Sequence, residues 1–280
     1  MLYKCIGILT LTFTVTSVIA QEQYESEEIL CPAAKEYITT INFLREREEK
    51  LGFTEKEMRE AAFQVSKGCL GAAERFIRTF DTMMKTQAAA RGSLQVSIEL
   101  SKKSENYTDA FLEIFKKSYL AEHLDLDYKT ALDMAKSLSL EYSGDPDKAQ
   151  RDFLNLVKFC TSDKWLGMSK PRCGVMAGRA VKSAELFNRE IAPLFEKLFA
   201  FIVSEKGPTP DLVKALDITE EVISYGPEAP DNFIMAYRYG LNDEGLKLSA
   251  LGALNFAKKM SAHAKWTEKV PERLPANQNE

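Results

Sequence analysis

Four of the five cysteines (all but Cys5), two histidines and a few close-set acids are the residues of this chain best able to do chemistry. Cys160 and Cys173 bracket "FCTSDKWLGMSKPRC", residues 159–173, a polar loop that carries Lys164, Trp165, Lys170 and Arg172. Such a loop suits a metal clip, a redox pair, a binding finger or a covalent staple. Zinc needs three or four Cys, His or carboxylate ligands, and neither His123 nor His263 lies near a cysteine in sequence. No CxxC pair exists, which weakens a thioredoxin-type reading. With Cys31 and Cys69, the set reads as two disulfides, three connectivities being open. Local pairing is the expectation. A helix from about residue 31 followed by its antiparallel partner returns Cys69 toward Cys31, at ~1.5 Å of rise per residue, and leaves Cys160 with Cys173.

The remaining candidates are weaker. His123 and His263 are placed near helix C-termini, where a cation is favoured by the macrodipole. Glu122, Asp125 and Asp127 offer oxygen ligands but lack the glycine and distal glutamate of a calcium loop, so Asp127 reads as an N-cap. Asn242, Asp243 and Gly245 are turn residues first. No phosphate-binding loop, dinucleotide fingerprint or hydrolase elbow occurs. The cluster Phe233, Tyr237, Arg238 and Tyr239 reads as core aromatics with an exposed Arg, or as a groove wall. Trp165, Lys164, Arg238 and Tyr239 are therefore the candidate contact residues, with no cofactor or metal expected.

The chain opens with Lys4, an apolar run from Cys5 to Ile19 and a small residue at Ala20, the pattern of an export leader cleaved there. The expected location is secreted or periplasmic, with no membrane span after cleavage. Loss of Lys4 takes Lys plus Arg from 37 to 36 against 41 acids, a net charge of −5. Nucleic-acid binding, which needs a basic field, is not expected.

These residues must be positioned by helices. Apolar residues recur three and four apart between Gly, Pro and Asn-Asp breakers nearly everywhere, "LQVSIEL" included. "FTEKEM" gives Thr54 as N-cap, Glu57 as its capping-box partner and a Phe53–Met58 staple, with Gly68 as the closing residue. Further helices are expected over 94–103, 109–123 and 128–142. Asp145–Pro146 and Thr209–Pro210 each read as a cap followed by a first-turn proline. Residues 173–205 read as one long helix kinked at Pro193.

"DFLNLVKFCTSDKWLGMS" from Asp152 aligns without a gap on "NFIMAYRYGLNDEGLKLS" from Asn232, matching Phe153 to Phe233 and Leu166 to Leu246. "TALDMA" from Thr130 answers "KALDIT" from Lys214 upstream. The expected fold is all-α, an array of stacked helix hairpins with about 9 to 11 helices, a weakly duplicated three-helix unit and two disulfides. It should occupy residues 21–264, with sub-units 28–125 and 126–264, and a loose tail should follow over 265–280. The leading function is an exported, non-catalytic domain binding a protein or envelope component. The alternative is a carboxylate-dependent hydrolase of cell-wall or extracellular polysaccharide. A carrier for apolar ligands would rest on the Phe and Leu excess between residues 186 and 202.

Overall fold

The computed structural model describes residues 31–86, 89–162 and 166–267, with side chains as far as His263. Among these residues there are thirteen α-helices and no strand. They are α1 (Ala33–Arg45), α2 (Glu48–Leu51), α3 (Glu55–Ser66), α4 (Ala72–Lys85), α5 (Ala90–Ser101), α6 (Glu105–Tyr119) and α7 (Tyr128–Leu138). α8 (Pro146–Thr161), α9 (Lys170–Ser183), α10 (Ile191–Ile202), α11 (Leu212–Ile223), α12 (Ala229–Leu241) and α13 (Ala250–Thr267) follow. No helix among the described residues is long and apolar enough to cross a membrane.

Successive helices pair as hairpins: α1 with α3, α4 with α5, α6 with α7, α8 with α9, α10 with α11 and α12 with α13. The first members α1, α4, α6, α8, α10 and α12 then pack side by side in that order, and α7, α9, α11 and α13 form a second layer behind them. This is a two-layer array in which each hairpin touches chiefly its neighbours. Its apolar clusters divide within α4, Phe80 joining Phe43 and Phe53 while Met83 joins the large cluster that runs on to Ala257.

Local signals placed several helix ends correctly. Thr54 accepts from the Glu57 N–H at 3.2 Å, and Glu57 accepts from the Thr54 N–H at 2.8 Å. Asp127 and Asp145 cap α7 and α8, and Pro146 opens the latter. Four expectations need correction. Thirteen helices replace 9 to 11, partly because a single turn, α2, precedes Gly52. Gly68 does follow the C-cap Lys67, but the left-handed conformation that usually closes a helix there falls one residue later, on Cys69; at Gly68 a Cβ would stand 2.4 Å from the Ser101 carbonyl oxygen. The long helix over 173–205 is two helices, α9 and α10. Pro193 sits in the first turn of α10, where its missing N–H is not needed. Fourth, α11 is capped by Asp211 rather than Thr209, so Pro210 lies outside it. α13 runs to Thr267, and residues 268–280 and the leader 1–20 lie outside the described residues.

The duplicated unit is larger than two copies. Residues 109–138, 151–180, 193–222 and 231–260 align without gaps, each as helix, loop, helix. Phe111, Phe153, Phe195 and Phe233 fall at one position and are fully buried. Ala131, Cys173, Ala215 and Ala253 fall at another, as do Ala135, Ala177, Thr219 and Ala257, and all eight are fully buried. The loops repeat as well. The N–H of Leu126, Met168 and Leu248 donates to the carbonyl of Ser118, Cys160 and Gly240 at 2.9, 3.2 and 2.7 Å. The residue just before each donor, Asp125, Gly167 or Lys247, is left-handed, with φ of 52°, 51° and 50°. In the third repeat the donor position holds Pro210, which has no N–H, and Thr209 donates to Ile202 instead.

The disulfide Cys160–Cys173 therefore occupies a helix crossing that the fourth repeat also makes. Its Cα atoms are 5.8 Å apart, and the fourth repeat puts Gly240 against Ala253 at the same place. Cys31 and Cys69 are each disulfide-bonded too. Replacing Cys160 by Gly and Cys173 by Ala gives the second repeat the pair of the fourth. The helical content should survive in circular dichroism. The unfolding free energy should fall by about 3 kcal/mol, the chain-entropy value for so short a loop, with a Tm lower by roughly 6–12 °C.

Candidate binding site

The last hairpin of the described residues exposes Met235, Tyr239, Leu241, Leu246, Leu251 and Met260. α12 turns Phe233 and Tyr237 inward, and Gly240 lies close against Ala253 of α13. The opposite face of α12 is left to Met235 and Tyr239, four residues apart and so one above the other. On α13, Phe256, Met260 and His263 follow the same helical spacing. With Asn232 and the turn Gly226–Glu228, these residues enclose a cleft of about 810 Å³. Met235 is 68 % exposed and Tyr239 54 %.

The charges around the cleft are already engaged. Glu228, just before α12, pairs with Arg189, just before α10, at 2.9 Å, and Asp231 of α12 pairs with Lys197 of α10 at 2.5 Å. The Arg238 guanidinium lies 5.3 Å from the centre of the Phe201 ring. Burial raises the Tyr237 phenol above its ordinary range, so it stays neutral. The lining is chiefly apolar, with Asn232, His263 and the paired Glu228 as its polar side chains.

A second crevice of about 410 Å³ lies across α7, α9 and α11. It brings Asp125, Asp127, Asp217 and Glu220 near Arg172 and Arg179. Arg179 bridges Glu220 at 3.2 Å. Burial pushes the Glu220 carboxyl up, while Asp127 is held low because its carboxylate accepts hydrogen bonds from Thr130. Among the described residues, no group of three His, Cys, Asp or Glu side chains is arranged to hold a metal. His123 sits beside Lys117, 3.4 Å from its ammonium, and 3.6 Å from Glu122.

Of the candidate contact residues, Tyr239 lies in the open cleft and Arg238 is exposed beside it. Lys164 and Trp165 lie outside the described residues. Sequence reasoning missed Met235, Phe256 and Met260 because outward apolar residues look like core residues until their stacking partner is known. The four-fold register was the signal that could have found them. Comparison of the chain with family models, curated proteins and solved structures gave no match.

Proposed function

We propose that this protein is an exported, non-catalytic helical-repeat domain that binds a protein partner through the open face of its last hairpin. The supporting observation is the apolar cleft itself. Among the described residues Met235, Tyr239 and Met260 are exposed together on this hairpin. An apolar patch rimmed by engaged charges marks an interaction surface. Export is supported by the leader-like residues 1–20 and by oxidised cysteines, which persist outside reducing compartments.

The test uses the intact protein immobilised beside its Tyr239→Lys variant and exposed to the extracellular or envelope fraction of its source. One identified protein should be retained by the first and reduced roughly tenfold or more by the second, the loss expected of an interface anchor, with unchanged circular dichroism. Equal retention by both would refute the reading.

A further inference from the structure

Internal repeats show what belongs on the face that the last repeat leaves open. In the second repeat Phe159 is only 3 % exposed, because Phe195 and Phe199 of α10 close on it edge-to-face with centroids at 6.1 and 5.6 Å. On the same helix the fully buried Asp152 carboxylate accepts from the Ile191 and Ala192 N–H groups at 2.9 and 3.2 Å, capping α10. The third repeat repeats the aromatic contact, Phe201 meeting Tyr237 of α12 at 5.9 Å. In the shared register Tyr239 corresponds to Phe159 and Phe201, Asn232 to Asp152, and Met260 to Ala180. All three line the open cleft.

We infer that the cleft takes the N-terminal half of an amphipathic helix from a partner protein, seated on the last repeat as α10 is seated on the second. This rests on the binding reading above and adds the class of ligand. The ligand would present an aromatic pair four residues apart to Tyr239 and point its first free N–H groups at the Asn232 side-chain oxygen, a favoured cap acceptor. The change from Asp to Asn follows from its neighbour. Lys148, which pairs with Asp152 at 3.0 Å, is replaced in register by Glu228, beside which a second carboxylate would be repelled. Other occupants fit poorly. Among the described residues the exposed large apolar side chains include no aromatic pair four apart that a second copy could offer. Residues 268–280 contain no Phe, Tyr or Trp.

A labelled peptide reproducing residues 189–203, with lysines added at its C-terminus, tests the inference by fluorescence anisotropy against the full chain. Saturable binding is expected, weakened roughly tenfold or more by Tyr239→Lys or Met260→Lys in the protein, or by Phe195→Ala with Phe199→Ala in the peptide. Binding indifferent to Tyr239→Lys, or none, would overturn the helix ligand. If the peptide fails while an identified partner still depends on Tyr239, only the helix inference falls; if both fail, the binding reading falls too. Light scattering that shows a dimer abolished by Tyr239→Lys would also overturn it, in favour of self-association.

Discussion

Asp152→Ala should lower the unfolding free energy by about 3–5 kcal/mol, the cost of removing one partner from a buried charged network. The carboxylate is fully buried, holds Lys148 at 3.0 Å and accepts two N–H bonds from the start of α10. Truncation leaves an ammonium that is 12 % exposed without its partner and two helix N–H groups without an acceptor. Asp152→Asn keeps an acceptor and should cost clearly less, and the fourth repeat already carries Asn at this position. Guanidinium unfolding followed by circular dichroism gives both values. A loss below about 1 kcal/mol for the alanine variant, the level of an ordinary neutral hydrogen bond, would show that Asp152 does not hold α10 in place.

Phe153→Ala should cost a similar amount, about 3–5 kcal/mol, because a fully buried ring leaves a cavity that its neighbours fill only in part. The position also tests the repeat architecture. In an array stabilised by nearest-neighbour interfaces, a weakened internal repeat uncouples the hairpins on either side. The transition of Phe153→Ala should therefore broaden relative to that of Phe233→Ala, which lies in the last hairpin. Identical transition widths with equal losses would favour a single core without repeat-like coupling.

What the sequence made legible is what short-range chemistry decides. The capping box at Thr54 and Glu57 spans three residues. Asp127 and Asp145 cap the turns they begin, and Cys160 and Cys173 are joined by a loop the chain closes on its own. The errors share the opposite character. Pro193 reads as a kink until Asp152 is seen to fix the start of α10, accepting from the N–H of Ile191, 39 residues further along the chain. Asp152 itself looks like one more solvent-facing acid on an amphipathic helix. Pro210 shifts the cap of α11 because it removes a donor whose role is evident only from the other three loops. The first and third repeats escaped notice because helical periodicity aligns apolar residues whether or not they are related. The buried Phe and small-residue positions, and the left-handed loop residue that three of the four share, separate the repeat from that background.

The shared register of the four repeats underlies both the fold and the binding face, and a transplanted disulfide tests it most directly. Gly240 and Ala253 occupy the places of Cys160 and Cys173, and a Cβ on Gly240 would stand 3.0 Å from that of Ala253. A disulfide holds its Cβ atoms about 3.8 Å apart, so the helices need separate by under about 1 Å. Peptide mass mapping of the Gly240→Cys, Ala253→Cys protein under non-reducing conditions should find the two new thiols joined to each other, with Cys160 and Cys173 still paired. New thiols that stay free, or that exchange with the native cysteines, would contradict the register and with it the face assigned to the partner helix.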